Sequence, residues 1–330
     1  MWFESLVGFA ETSPSNVREN LSIIGDKMVS SVNHRQMSYG KLTTPSLSEL
    51  RSSLESVQPA SGRLQVSEIV ADVQELHADP LNAGALFQVA SQFNLLEMVA
   101  PSVVPEDGVG IYEHDYTQGP ACAIACGAGT IYRNYFAPVD GEIGQSTDRQ
   151  FDCLRDVGRA LGNDNHELWR MQNGYALATT EGLASINQHL NSISETDRDK
   201  IRSSLRIGLQ EATEVTIRKS QHCVSQAYCS ALPVAYSACS EELWASFAQL
   251  ILEAAYEATL CAGAINAAAT GNNKIFLTLL GGGAFGNDED WIFKAVTRAL
   301  DLFRDIDLSV SVVSFGKSNR EVASFVRRYE

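Results

Sequence analysis

Residues 274–287 read KIFLTLLGGGAFGN and join an apolar run to a glycine-rich loop. Residues 274–280 have the length and composition of a buried strand, and residues 288–303 have the apolar spacing of an amphipathic helix. The order of strand, glycine loop and helix is typical of a phosphate site. Without Cβ atoms the loop can approach a ligand closely, and its N–H groups lie near the positive end of the helix dipole. We therefore expect main-chain N–H groups to bind a diphosphate here without Lys or Arg.

Other strand and helix patterns alternate along the chain. Residues 86–90 and 223–229 are short, mostly apolar runs typical of buried strands, and residues 308–315 form a further predicted strand. Residues 243–269 form a long Ala-rich helix pattern that ends before a glycine. Strands that alternate with helices predict an α/β fold of three layers, with a mixed, mainly parallel sheet flanked by helices.

The amino-terminal part of the chain has a different composition. Residues 1–60 are rich in Ser, Thr, Asn and Pro, and we predict that they form an extension packed on a core domain of residues 61–330. Residues 64–76 have apolar side chains at helical spacing and are predicted to be a helix. Residues 213–217 alternate between polar and apolar side chains, which is typical of an edge strand.

Composition limits the classes of partner. The chain has 330 residues, a formal net charge of −15 and a pI near 4.8, so its surface is a poor match for nucleic acid. No basic leader and no run of 18 apolar residues is present, and we expect a cytoplasmic protein that does not bind membranes. Seven cysteines lack the spacing of a metal site and are expected to be reduced thiols, and no cofactor is implied.

Two polar segments are candidates to face the glycine loop. Gln92 and Asn94 follow the predicted strand at 86–90, and ligands usually lie at the carboxyl ends of such strands. A second helix is predicted to begin at Pro120, and the side chains of Thr117 and Gln118 could accept hydrogen bonds from its first, unpaired N–H groups. This helix start is a second place at which a ligand can meet free N–H groups.

The glycine loop also fits the G-x-G-x-x-G pattern through Gly281, Gly283 and Gly286, which makes a nicotinamide-dependent oxidoreductase an alternative. A dinucleotide-binding unit normally has an acidic residue at the end of its next strand, and residues 314–317 read SFGK instead. The glycine pattern is therefore weak evidence for this class.

Three segments resemble the macrodomains of the poly(ADP-ribose) glycohydrolase type. Residues 279–287, LLGGGAFGN, are similar to the loop that surrounds the diphosphate in that family. Residues 87–94, FQVASQFN, resemble the strand that ends in an asparagine near the distal ribose, and residues 224–233, VSQAYCSALP, resemble a later strand that ends in a turn of small residues. The similarity spans residues 85–315 loosely.

The resemblance implies a macrodomain-like fold that binds ADP-ribose, but the first catalytic loop departs from the family. The Gln-Glu-Glu signature of that loop is missing, and residues 115–122 read DYTQGPAC. The MavL-type hydrolases, which remove ADP-ribose from an arginine of ubiquitin, are similar in lacking it. The motifs and this resemblance together nominate a set of ligand-binding residues: Gln92, Asn94, Thr117, Gln118, Gly119, Ser230, Gly282, Gly283, Ala284, Phe285, Gly286 and Asn287.

Hydrolysis of ADP-ribose from arginine breaks an N-glycosidic bond through a positively charged transition state. A carboxylate must stabilise that charge or activate water, and the departing guanidine must be protonated. The candidate catalytic acids are Asp115, Glu211 and Glu214, with Glu97 and Asp148 in reserve. A module that binds ADP-ribose without cleaving it remains an alternative, because the usual catalytic glutamate is missing.

Overall fold

A seven-stranded mixed sheet organises the protein in the computed structural model, which describes residues 1–329. The strand bounds are β1 (Leu21–Ile24), β2 (Lys27–Ser30), β3 (Gln36–Ser38), β4 (Lys41–Thr43), β5 (Gln65–Val70), β6 (Leu86–Ala90), β7 (Pro138–Val139), β8 (Glu142–Ile143), β9 (Trp169–Gln172), β10 (Tyr175–Ala178), β11 (Gly208–Glu214), β12 (Cys223–Cys229), β13 (Lys274–Leu277) and β14 (Ser309–Ser314).

The helices alternate with these strands along most of the chain. Their bounds are α1 (Trp2–Val7), α2 (Pro14–Asn20), α3 (Leu47–Val57), α4 (Val73–Ala78), α5 (Gln118–Ala125), α6 (Gly127–Tyr135), α7 (Arg155–Leu161), α8 (Thr180–Ser192), α9 (Glu195–Ser203), α10 (Glu241–Thr270), α11 (Glu289–Leu302) and α12 (Arg320–Val326). Within residues 1–329, none of these helices is both long enough and apolar enough to span a bilayer.

The large sheet has the order β4-β11-β12-β6-β13-β14-β5. The pairs from β12 through β6, β13 and β14 to β5 are parallel, whereas β4–β11 and β11–β12 are antiparallel. The predicted mixed, mainly parallel sheet is confirmed. The strands predicted at 86–90, 223–229 and 308–315 and the long helix at 243–269 are also confirmed, with bounds shifted by at most two residues.

Helices cover both faces of this sheet, as the alternating side chains of β6 show. Gln88 donates a hydrogen bond to Thr259 on α10 (2.9 Å), while its neighbour Phe87 stacks on His77 of α4 with the ring centroids 3.8 Å apart. Successive side chains of a strand point to opposite faces, so α10 and α4 lie on opposite sides. The arrangement is the predicted three-layer α/β fold.

Two predictions about local structure are wrong. Residues 64–76 contain a strand, β5, followed by α4, which Asp72 caps by accepting a hydrogen bond from Gln74 N. Six residues of this segment pair with β14, and this pairing outweighs the helical spacing of its apolar side chains. The β-branched residues of the segment favour a strand over a helix. The strand predicted at 213–217 overlaps β11 only at residues 213–214, and β11 is not the edge of the sheet, because β4 pairs with its residues 209–211.

The amino-terminal residues contribute to both the sheet and a second apolar core. Strand β4 and helix α3 join the large sheet and its helical layer, where α3 packs on α10. The first 39 residues pack their buried side chains, among them Phe3 and Met37, against the segment that runs from Leu96 to Tyr135. The division between an extension and a core domain at residue 60 stays a prediction.

Candidate functional site

The large sheet opens between β6 and β13 at the carboxyl ends of the two strands. Strand β13 pairs with β6 only at Ile275–Leu86 and Phe276–Phe87. Beyond that point Gln118 replaces the missing strand, because its Oε1 accepts a hydrogen bond from Ala90 N (2.9 Å) and its Nε2 donates to Gln88 O (2.8 Å). The chain leaves β12 on one side of β6 and enters β13 on the other, and such a switch point is where open α/β sheets bind ligands.

A cavity of about 510 Å³ occupies this opening. Its volume lies in the range of small-molecule sites. Its walls come from the ends of β6 and β13, from the start of α5 and from the glycine loop, and no Lys or Arg contributes to them. The lining residues are Ala90, Ser91, Gln92, Glu97, Met98, Val99, His114, Asp115, Tyr116, Thr117, Gln118, Gly119, Pro120, Tyr175, Ala231, Tyr236, Thr278, Leu279, Leu280, Gly281, Gly283, Ala284 and Phe285.

The glycine loop presents three consecutive N–H groups with no protein acceptor. Within residues 1–329, the backbone N–H groups of Gly283, Ala284 and Phe285 donate no hydrogen bond to the protein, and all three residues line the cavity. Groups of this kind bind anions. The prediction that the loop carries free N–H groups is therefore consistent with the geometry at these three positions.

The other three predicted loop residues hold the loop together instead. Gly282 N donates to Leu279 O (3.1 Å), Gly286 N to Gly283 O (3.0 Å) and Asn287 N to Gly281 O (2.9 Å). These bonds consume the N–H groups inside the loop. Gly282, Gly286 and Asn287 also lie outside the cavity lining, and their contact with a ligand stays a prediction.

Side chains from elsewhere in the chain brace the loop. Tyr256 on α10 is fully buried, and its hydroxyl accepts from Leu280 N and donates to Thr278 O, both at 2.8 Å. Asn287 Nδ2 donates to Leu232 O (2.8 Å). The sequence did not single out Tyr256, because a tyrosine in a long apolar helix has the pattern of a core residue.

The helix that follows the loop does not face the cavity. Asp288 caps α11 by accepting a hydrogen bond from Asp290 N (2.7 Å), and three acidic residues, 288–290, already lie at the positive end of its dipole. None of them lines the cavity. The contribution of this helix dipole to phosphate binding therefore stays a prediction that the cavity lining does not support.

The start of α5 is the helix end that faces the cavity. The helix begins at Gln118, two residues before the predicted Pro120, and Thr117 makes no side-chain cap. The side chain of Gln118 was expected to accept hydrogen bonds from the helix N–H groups, but it bonds to the backbone of β6 instead. The backbone N–H groups of Gln118 and Gly119 therefore have no acceptor in the described chain. Gly119 lies so close to β6 that a Cβ there would be 2.0 Å from Ala90 O.

Two of the proposed acids line the cavity, and the others lie elsewhere. Asp115 is at the rim, where its Oδ1 accepts from Thr117 N (2.9 Å). Glu97 lies at the floor and is buried. Asp148 does not contribute to the lining.

The expectation that Glu211 and Glu214 flank the pocket is wrong. Glu214 pairs with Cys223 at the start of β12, whereas the cavity lies beyond the other end of that strand, about 20 Å away at the rise of a β-strand. Its carboxylate accepts from Ser38 N (2.9 Å), and Glu211 pairs with Lys41 on β4 (3.8 Å). The antiparallel course of β11 carries both residues away from the cavity.

The predicted polar ligands at the end of β6 and β12 divide in the same way. Gln92 lines the cavity, and its Oε1 accepts from Met98 N (2.8 Å). Asn94 is fully buried and bonds to Gln150 and to Leu96 N, so it shapes the loop from behind. Ser230 points its hydroxyl at Ala231 O (2.9 Å) and does not line the cavity.

Aromatic side chains form one wall that the sequence did not predict as a unit. Tyr175, Tyr236 and Phe285 meet with centroids 5.1 to 5.6 Å apart. Tyr116 stands at the rim and is 94% exposed. Rings on a cavity wall offer flat apolar surface to a ribose or a nucleobase. Phe285 was predicted from the loop motif, but the two tyrosines come from other segments and meet it only in the fold.

No protein-family model matches the sequence, and no curated protein matches it. Solved structures similar to the chain include the poly(ADP-ribose) glycohydrolase of Deinococcus radiodurans in complex with ADP-ribose, at 11% identity and a TM-score of 0.46, covering 96% of each chain. Another is the poly(ADP-ribose) glycohydrolase of Thermomonospora curvata, at 12% identity and a TM-score of 0.44, covering 96% of this chain and 97% of that one. Identities and TM-scores this low do not assign a function.

Proposed function

We propose that the protein is an ADP-ribosyl hydrolase that removes ADP-ribose from arginine side chains of proteins, with ubiquitin as the candidate substrate protein. One observation carries the proposal: free N–H groups of the glycine loop and of the start of α5 line a single cavity whose walls contain no Lys or Arg. Such a cavity suits a diphosphate, because backbone N–H groups can donate hydrogen bonds to its oxygens without a positively charged side chain.

The rest of the cavity supports a ligand that is more than a diphosphate. The aromatic wall of Tyr175, Tyr236 and Phe285 offers apolar surface for a ribose or a nucleobase, and Gln92 offers a polar side chain nearby. Two carboxyl groups, Glu97 and Asp115, line the same space, as hydrolysis of a glycosidic bond requires.

The choice of arginine as the modified residue has an electrostatic basis. A guanidinium is attracted by the acid at the rim, Asp115, and by a chain of net charge −15. The resemblance of the motifs to the MavL-type hydrolases favours ubiquitin as the protein that carries it.

Two measurements test the proposal in sequence. Calorimetric titration with ADP-ribose, ADP and NAD should give the tightest binding for ADP-ribose; preference for NAD would favour the oxidoreductase alternative. Release of ADP-ribose is then measured from ubiquitin modified on arginine and from a protein modified on a carboxylate side chain. Binding without release from either substrate would indicate a binding module, and absence of ADP-ribose binding would refute the proposed function.

A further inference from the structure

Glu97 is a buried carboxyl group with one oxygen unpaired at the floor of the cavity. Its side chain is 1% exposed, and the residue lines the cavity. Oε1 lies 3.4 Å from Nη2 of Arg133, whereas Oε2 has no hydrogen-bond partner within residues 1–329. A buried polar atom without a partner is unfavourable, so such an atom beside a ligand cavity points to a partner that the ligand supplies.

We propose that Glu97 is the catalytic acid of the hydrolysis and donates a proton to the leaving nitrogen. This inference rests on the proposed function. It places the acid seven residues beyond the end of β6, on a different segment from Asp115, Glu211 and Glu214, which the sequence favoured.

Two neighbours of Glu97, Tyr112 and Arg133, fix its position. Its backbone N–H donates to the hydroxyl of Tyr112 (3.0 Å). Arg133 is held in turn by Leu95 O (3.0 Å) and lies over the ring of Tyr228, 3.6 Å from the centroid. A side chain held in this way has little freedom to leave the cavity floor, which suits a group that must meet one atom of the substrate.

These surroundings also favour the protonated form of the acid. Burial raises the pKa of Glu97 to about 7, although Arg133 and the hydroxyl of Tyr112 act in the opposite direction. A carboxylic acid that keeps its proton near neutral pH can act as a proton donor. The titratable or charged groups that face it from the neighbouring elements are Tyr112, Cys122, Arg133 and Tyr228, with His114 and Asp115 on the cavity rim.

The proposed step balances with one acid and one water. As the bond between C1 of the distal ribose and the guanidine nitrogen breaks, its electron pair goes to nitrogen, which takes the proton of Glu97. Water adds its oxygen to C1 and returns a proton to the Glu97 carboxylate. The products are ADP-ribose and free arginine side chain, and the acid is restored for the next turnover.

Glu97→Gln separates this inference from the proposed function. The change keeps the size of the side chain and removes the proton that is transferred. We expect ADP-ribose to bind the variant with affinity close to that of the wild type, while kcat falls by about 100-fold or more. Glu55→Gln, an exposed position on α3, is the matched carboxyl-to-amide control and should leave both values unchanged.

The outcomes are distinct for the two claims. If the wild type neither binds ADP-ribose nor releases it, the proposed function fails. If the wild type is active and Glu97→Gln retains its kcat, the assignment of Glu97 is overturned. Should Glu97→Gln fail to fold, the pH profile of wild-type kcat decides: a fall in rate as pH rises through about 7 supports the assignment, and a flat profile from about pH 6 to 8 overturns it.

Discussion

Gly283 offers a direct test of whether the glycine loop contacts a diphosphate. A Cβ built at this residue meets no atom within 4 Å, and its backbone has no left-handed φ, so a side chain fits without strain. Gly286 would be a poorer choice, because its φ of +68° disfavours a side chain and a Cβ would lie 2.9 Å from the Cβ of Ala235. We therefore choose Gly283→Glu, with Gly283→Gln as the neutral control of similar size.

The expected effect is electrostatic. A carboxylate about 5 Å from a phosphate charge gives a repulsion of about 3 kcal/mol at an effective dielectric constant near 20. Gly283 is exposed, and water and salt reduce this value to between about 1 and 3 kcal/mol. The Glu variant should therefore bind ADP-ribose about 10- to 100-fold more weakly than the Gln variant.

Calorimetric titration of the wild type and both variants with ADP-ribose measures this difference, and urea unfolding checks that all three share the same stability. The gap between the Glu and Gln variants should narrow as salt is added, because screening weakens the repulsion. Equal affinities for the two variants at low salt would show that no phosphate lies beside this loop and would refute the assignment of its N–H groups.

Three further predictions address the fold around the site. Gly119→Ala should lower the free energy of unfolding, measured by urea titration, by about 1 to 3 kcal/mol and should weaken ADP-ribose binding. The reason is that the added Cβ would lie 2.0 Å from Ala90 O. Unchanged stability and affinity would contradict the close approach of α5 to β6. Burial lowers the pKa of His77 from 6.5 to about 4, so the unfolded state binds its proton first as pH falls. Stability should drop by about 3 kcal/mol between pH 6.5 and 4 on this account, and urea unfolding of His77→Gln should show a smaller drop; an equal drop in both proteins would exclude the imidazole as its cause. A thiol reagent should modify Cys223 and Cys239 in the native protein well before the five buried cysteines, and rapid reaction of all seven would contradict the packing of the core.

The sequence predicted those parts of the fold that depend on local pattern. The apolar runs of β6 and β12, the long helix α10 and the glycine loop are each continuous in sequence, and composition and end residues are enough to recognise them. The prediction failed at β5, where a neighbouring strand overrides helical spacing, and at β11, which ends at Glu214 and has β4 from the amino-terminal residues as its outer neighbour at residues 209–211.

Some residues of the candidate site could be recognised from sequence motifs, and others could be distinguished only in the fold. Motifs identified Gly283, Ala284 and Phe285, because a glycine loop after a buried strand has a recognisable pattern. No motif distinguished them from Gly282 and Gly286, whose N–H groups are consumed by bonds inside the loop. Which N–H groups stay free depends on how the loop closes, and a residue pattern does not encode that closure.

The sequence alone determined that a glycine-rich loop follows a buried strand in an α/β protein of acidic charge. Only the tertiary structure decided which acids line the same cavity as that loop. Glu97 lies at the cavity floor because β6 is central and parallel to its neighbours, while Glu214 lies at the far end of the sheet because β11 runs antiparallel to β12. Strand direction is set by pairing between distant segments, so it places carboxyl groups at one end of the sheet or the other in a way that the spacing of residues along the chain does not reveal.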